Sequence, residues 1–173
     1  MKTNADIAKK ACALMNRYDT RDPFHIASKL GVEIIRANTL KSLKGMYRVI
    51  KRNRFIILNS NNSHKMNRIV CAHELGHDCL HREYAKGNAL KEFMLYDMST
   101  RQEYEANVFA AALLLDDETM LEYVKDGYDA EQIASATGTD INLVALKIDT
   151  LIREGYPLRE QWYDSRFLRQ KGN

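Results

Sequence analysis

The sequence predicts an α+β fold, in which a small antiparallel sheet packs against a bundle of helices. Two helical segments come first, three short strand-like segments follow, and further helices complete an α-α-β-β-β-α-α order. Residues 63–81 and 100–115 carry apolar side chains at helical spacing, and each is long enough for a core helix. Residues 45–50 and 54–58 are strand-like and flank a polar turn, which predicts a hairpin.

The N-terminal part of the chain is predicted to contain two helices and one strand. Helical spacing covers residues 4–18, and a second helix is predicted at residues 23–30. Pro23 suits the first helical position of that helix, and Gly31 suits the position after its end. The apolar run at residues 32–35 is predicted to be a short strand.

Beyond the hairpin, residues 84–98 are predicted to be irregular or partly stranded, and residues 117–126 to form a short helix. No internal repeat or low-complexity segment interrupts this order.

The pattern His-Glu-Leu-Gly-His occupies residues 73–77, inside the predicted helix 63–81. Histidines four residues apart lie on the same face of a helix. Two such imidazoles can hold one Zn²⁺, and a glutamate between them can act as a general base toward water beside the metal. Apolar residues at helical spacing place both rings on the inward face, where buried imidazoles need partners. We therefore predict His73 and His77 as ligands and Glu74 as base; the alternative is a pair of core histidines without a metal.

His81 continues the series of histidines, but helix geometry argues against it as a third ligand. Three residues spaced four apart extend along about 12 Å of a straight helix. A zinc–nitrogen bond is only about 2.0–2.1 Å long. One ion therefore cannot bind all three rings, and residues 78–80 carry no signal that would break the helix.

The better third ligand lies in the apolar helix predicted at residues 100–115, where an inward carboxylate needs a reason. Glu103 shares a face with two alanines, which would allow close helix packing, and with Asn107. We predict Glu103 as the third ligand and Asn107 as a hydrogen-bond partner of a metal-bound imidazole. Glu105 is the alternative ligand; it lies two residues from Glu103, about 200° around the helix, so the two carboxylates cannot both face the metal. A capping box between Thr100 and Glu103 competes with the ligand interpretation.

The segment CAHELGHDCLH, followed by EYEANVFAAALLL, resembles the ImmA/IrrE family of zinc metallopeptidases over residues 25–155. The resemblance implies a gluzincin-type site with ligands His73, His77 and Glu103 and with Glu74 as catalytic base. It implies a zinc-dependent endopeptidase that cleaves a protein substrate, typically a helix-turn-helix transcriptional repressor of a phage, a mobile element or a stress response. The chain is more similar to the short ImmA branch than to the IrrE branch, which carries an additional sensor domain.

Residues 129–155 have the outline of a helix-turn-helix and support an alternative function, that of a non-proteolytic regulatory or DNA-binding protein. This segment contains five acids and two bases, whereas a helix that approaches DNA normally carries basic side chains. We therefore expect it to pack on the core or to dock a substrate. The predicted domains are a zincin-like metallopeptidase core (1–126), a helix-turn-helix-like extension packed on it (127–156) and a polar C-terminal tail (157–173).

The predicted hairpin is basic, because residues 36–54 contain seven Lys or Arg and no acid. The charge can protect an exposed sheet edge against aggregation. It can also attract an acidic substrate segment or nucleic acid. A free edge of this sheet could bind an extended substrate by strand addition.

Composition limits the cellular setting. The chain has 173 residues, a net charge of +3 and 45% hydrophobic residues, an ordinary globular balance. It contains no apolar run of about 20 residues, so we expect no transmembrane helix. The N-terminus lacks the apolar core of a signal peptide, and three cysteines without a C-x-x-C pair fit reduced thiols. We expect a cytoplasmic protein.

Overall fold

The computed structural model describes residues 2–83, 85 and 100–158 and confirms the α+β architecture. The predictions for the tail beyond residue 158 and, apart from residue 85, for the stretch 84–98 lie outside the described residues. Seven helices and three strands make up the described part. They are α1 (Asn4–Tyr18), α2 (Pro23–Lys29), β1 (Val32–Ala37), β2 (Gly45–Ile50), β3 (Asn53–Asn59), α3 (His64–Leu80), α4 (Arg101–Leu114), α5 (Asp117–Lys125), α6 (Ala130–Ala136) and α7 (Ile141–Arg153).

Each of these helices begins after a side chain that accepts a hydrogen bond from the backbone of its first turn. Such caps satisfy N–H groups that have no partner within the helix. The capping residues are Thr3, Asp22, Ser63, Thr100, Asp116, Asp129 and Asp140. Because these signals are local, the predicted helices agree with the observed ones to within one residue at each end.

The three strands form one sheet in the order β1-β3-β2, and the predicted hairpin of β2 and β3 is confirmed. Its loop consists of Lys51 and Arg52 alone, since Ile50 pairs with Asn53. Both loop residues have positive φ, 48° and 71°. This is the left-handed geometry of a two-residue turn whose twist matches that of the two strands.

The prediction that the sheet is antiparallel is wrong for one of its two pairings, because β1 runs parallel to β3. The chain turns back after β1 and forms β2, and the tight hairpin then inserts β3 between them. A strand inserted in this way is antiparallel to β2 and therefore parallel to β1. The sequence interpretation assumed that consecutive strands are neighbours, which is a common arrangement but not a required one.

Helix α3 is the central element of the fold. It contacts α4, α2 and the sheet, and every residue from Asn67 to Asp78 except Arg68 is buried. The sequence interpretation gave it a single inward face, whereas a helix covered on several sides is buried nearly all round. A side chain at Gly76 would place a Cβ only 3.1 Å from the Cα and carbonyl oxygen of Ala106. The close packing expected from the alanines of α4 is therefore present at this point.

The last two helices, α6 and α7, pack against each other, and α7 also contacts α4. The described residues contain no helix that is long and apolar enough to cross a membrane. We propose to regard residues 127–156 as an extension of the core 1–126, and its helix-turn-helix character stays an interpretation.

Candidate metal centre

Three buried side chains from α3 and α4 converge at one point. The Nε2 atoms of His73 and His77 lie 3.0 Å apart. Glu103 Oε2 is 3.1 Å from His73 Nε2, and Glu103 Oε1 is 3.4 Å from His77 Nε2. Two turns of α3 and the first turn of α4 therefore bring together the three residues that the sequence suggested as ligands.

The first turn of α4 shows which of the two predicted roles, capping box or metal ligand, the Glu103 side chain takes. The hydroxyl of Thr100 accepts a hydrogen bond from the backbone N–H of Glu103, as a helix cap does. The Glu103 carboxylate does not complete a capping box, because it faces His73 and His77 instead. One residue thus serves the helix with its backbone and the site with its side chain.

The outer nitrogen of each imidazole has its own partner. His73 Nδ1 is 2.9 Å from the amide oxygen of Asn107, so this nitrogen carries the hydrogen and donates it. His77 Nδ1 is 3.1 Å from His81 Nδ1, on the side of the ring that faces away from Glu103. The Nε2 atom of His73 is then unprotonated, and the Nε2 atoms of both rings point toward each other and toward the Glu103 carboxylate.

Glu105, the alternative ligand, faces a different group of residues. Its Oε2 lies 3.1 Å from His81 Nε2, and its Oε1 accepts a hydrogen bond of 2.6 Å from Arg101 Nε. Burial raises the pKa of Glu105, but hydrogen bonds from Arg101 and His81 outweigh burial and lower it below its ordinary value. Glu103 and Glu105 are both buried, yet only Glu103 lies in the group of possible metal ligands with His73 and His77.

Glu74 lies beside these donors and is fully enclosed. The pKa of Glu74 is raised to about 7, chiefly by burial and also by the nearby charge of Glu103, while His77 and the backbone of Tyr47 act to lower it. Its Oε1 has no hydrogen-bond partner among the described residues. A buried carboxylate oxygen without a partner is costly, which suggests that the position serves chemistry or a ligand.

Glu103 shows the opposite shift although it is buried next to Glu74. Burial alone would raise its pKa, but the contacts with the imidazoles of His73 and His77 lower it to about 2. Two neighbouring carboxyl groups with pKa values driven apart are typical of sites in which one group binds and the other exchanges protons.

A second cluster, which was not predicted, ties α3 to the sheet. Asp78 is buried on α3 and accepts hydrogen bonds from Tyr47 Oη at 2.6 Å and from Arg54 Nη1 at 2.9 Å. Arg82 Nη2 also donates to it, at 3.0 Å. An aspartate one residue after the motif, on an otherwise buried stretch, is the signal that could have revealed this cluster. It holds the backbone of β2 next to Glu74.

The donor set fits a zinc ion. Two imidazole nitrogens and one carboxylate are a ligand set of catalytic zinc sites. Ligand atoms about 2.0–2.1 Å from a tetrahedral zinc are separated by about 3.3 Å. The observed separations of 3.0, 3.1 and 3.4 Å are close to this value. A cation at the centre of these three groups would accept a lone pair from each of them.

Comparison with known proteins agrees with this geometry. The sequence model of the Peptidase_M78 family, described as the IrrE N-terminal-like domain, matches residues 27–149. The chain is also 35% identical over 134 residues to "Uncharacterized immunity region protein 2" of Bacillus phage phi105, which covers 78% of this chain and 84% of that protein. The chain therefore belongs to the Peptidase_M78 family of IrrE- and ImmA-like zinc-dependent peptidases.

Proposed function

We propose that this protein is a zinc-dependent endopeptidase, with His73, His77 and Glu103 as metal ligands and Glu74 as catalytic base. The observation that carries the proposal is the convergence of three lone-pair donors beside a buried carboxylate oxygen without a hydrogen-bond partner. A purely structural zinc site has no use for the neighbouring base, because it needs only ligands.

When bound, zinc supplies a Lewis acid that polarises the scissile carbonyl and activates water. Glu74 accepts the proton of the attacking water at Oε1, the atom without a hydrogen-bond partner, and later donates it to the leaving amine. Its raised pKa, about 7, suits both roles near neutral pH. Asn107 orients the ring of His73 by accepting its Nδ1 hydrogen.

Strand β2 offers a binding edge for the substrate. Asn59 N–H donates to Lys44 O, and this bond sets the alternation of the antiparallel pair. The main-chain groups of Gly45 and Val49 accordingly point away from β3, as does the Tyr47 backbone, which also contacts Glu74. No described strand pairs with this outer edge. An extended segment of the substrate would therefore add to β2 next to Glu74, which requires the target to be locally flexible.

The substrate we propose is a helix-turn-helix transcriptional repressor. The family implies a protein substrate, and the phage relative is named as an immunity region protein. Cleavage would inactivate the repressor and relieve the regulation of a phage, a mobile element or a stress response. We propose a cytoplasmic location, because a bacterial or phage repressor acts on DNA there.

The experiment is to incubate the purified protein with the repressor encoded beside its gene and to analyse the products by mass spectrometry. We expect one cleavage site, and cleavage slower by roughly 10²–10⁴-fold in Glu74→Gln, which retains the metal ligands but lacks the base. Glu122→Gln, an exposed change on α5, is the control and should cleave normally. Unimpaired cleavage by Glu74→Gln would contradict the proposed function.

A further inference from the structure

His81 and Glu105 lie behind the proposed metal centre and take no part in the mechanism described above. His81 follows the last residue of α3, and its φ of −130° departs from helical geometry. The ring turns back toward His77, so the two Nδ1 atoms are 3.1 Å apart. Its other nitrogen, Nε2, is 3.1 Å from Glu105 Oε2 on α4. Both residues are buried.

The hydrogens of this chain of contacts can be assigned in order. Since Nε2 of His77 faces the metal centre as a lone-pair donor, its Nδ1 carries the hydrogen and donates it to His81 Nδ1. His81 must then be neutral and carry its own hydrogen on Nε2, which it donates to Glu105 Oε2. Arg101 Nε donates to the remaining oxygen of Glu105 at 2.6 Å. With His77 Nδ1 as donor, only the His81 tautomer that carries its hydrogen on Nε2 satisfies both of these contacts.

We propose that His81 and Glu105 are positioning residues that hold the imidazole of His77 in the tautomer and ring orientation required for zinc binding. The proposal rests on the zinc site of the proposed function. His73 obtains the same support from Asn107 in one step. His77 is supported by His81, at the end of α3, and through it by Glu105 on α4. His81 and Glu105 therefore also connect the two helices that supply the ligands.

The chain of hydrogen bonds from His77 through His81 to Glu105 is called the relay below. It can be tested through zinc affinity, measured by chelator competition on the full-length protein. We expect His81→Ala and Glu105→Ala to weaken zinc binding by roughly 10- to 100-fold, as removal of partners behind a ligand usually does. Glu105→Gln should restore most of the affinity, because a glutamine oxygen can accept the same hydrogen bond from His81. The control is His25→Ala, which removes an exposed histidine from α2.

Zinc affinity also separates the relay from the proposed function. If the wild-type protein does not bind zinc, both proposals fail. If it binds zinc tightly and His81→Ala and Glu105→Ala bind it equally well, only the relay fails. Equal loss of affinity in Glu105→Gln and Glu105→Ala would also contradict the relay, since it would show that the hydrogen bond is not what matters. Urea unfolding of each metal-free variant verifies that it folds.

The tautomers provide a readout that a merely structural role would not predict. Long-range ¹H–¹⁵N spectra of the zinc-loaded, ¹⁵N-labelled protein distinguish the two ring nitrogens of each histidine. We expect His77 with its hydrogen on Nδ1 and His81 neutral with its hydrogen on Nε2. A His81 ring protonated at Nδ1 could not accept from His77 and would overturn the proposal.

Discussion

Helix α4 packs against α3 on one side and against α7 on another, and these two interfaces differ in how they treat buried polar groups. Within the described residues, the buried side-chain atoms without a hydrogen-bond partner are Asn67 Nδ2, Glu74 Oε1 and Asn107 Nδ2. Glu74 and Asn107 lie at the candidate metal centre, whereas Asn67, near the start of α3, contacts Asn62. On α7, by contrast, the buried polar residues are satisfied, since Lys147 pairs with Asp117 and Thr150 bonds to the Leu146 carbonyl.

The difference indicates that the two interfaces serve different purposes. Unsatisfied buried groups cost stability, so proteins keep them chiefly where they bind or react. We infer that the contact of α4 with α7 supplies apolar burial, and that the contact with α3 forms the proposed metal centre. If this is correct, changes on the α7 side should alter stability without altering zinc affinity, whereas metal removal should act through the α3 side.

The largest effect on stability is expected from Leu146→Ala on α7. Leu146 is fully buried in the core, so truncation should lower the free energy of unfolding by about 2–5 kcal/mol. Urea titration measures this loss, and zinc affinity measured on the same variant should not change. Ile141→Ala, at the exposed start of α7, is the matched control and should cost far less. A large fall in zinc affinity in Leu146→Ala would erase the distinction between the two interfaces.

Metal removal is the complementary test. Free zinc at about 100 times its dissociation constant should raise the free energy of unfolding by about 2.7 kcal/mol over the chelated protein, because only the folded state holds the site. Thermal and urea unfolding with zinc or with chelator measure this increment. Leu146→Ala should keep it and Glu103→Ala should lose it. Equal increments in wild type and Glu103→Ala would show that zinc binds elsewhere.

Gly76→Ala tests the contact between α3 and α4, because it can either raise or lower the free energy of unfolding. In an open helix, alanine is more stable than glycine by about 1 kcal/mol. Here the new Cβ would meet the Ala106 backbone at 3.1 Å, so we expect a loss of about 1–3 kcal/mol instead. The separation of α3 from α4 should also weaken zinc binding. A stabilised variant with normal zinc affinity would show that this close contact is not required.

The smallest effect on stability is expected at Asp116, which has no role at the metal centre. It caps α5 through the Thr119 N–H and pairs with Arg21, so Asp116→Ala should cost about 1 kcal/mol. Burial acts to raise its pKa, but the Thr119 backbone bond and Arg21 lower it below the ordinary value of 3.8. The charge-dependent part of the stabilisation is therefore present above that value and is lost as the pH falls through the lower folded-state pKa.

Urea titrations of wild type and Asp116→Ala at neutral and strongly acidic pH test this sign. The stability difference should shrink in acid. A difference that grows in acid would contradict the assignment of Asp116 as a charged, stabilised cap.

Signals that act within a few residues allowed much of the fold to be predicted. Apolar spacing located the helices of the described region, and the polar turn around Lys51 located the hairpin. The parallel pairing of β1 could not be predicted in this way. The parallel pairing arises because β3 lies between β1 and β2, and the sequence of β1 carries no local signal for this strand order.

The same limit applies to the site. The spacing of His73 and His77 suggested a shared ion, and the structure brings both together with Glu103. The partners behind them depend on how α3 and α4 face each other. His81 was considered only as a ligand, and Glu105 only as a rival of Glu103. Their contact joins a helix end to a residue 24 positions later, which spacing along one helix cannot reveal.

The zinc content of the purified protein tests the central claim most directly. Metal analysis should compare wild type, Glu103→Ala and Glu105→Gln after gel filtration. We predict one zinc per chain in wild type and in Glu105→Gln and loss of the metal in Glu103→Ala. A wild-type protein without zinc, or a Glu103→Ala variant that retains its full complement, would contradict the metal centre described here.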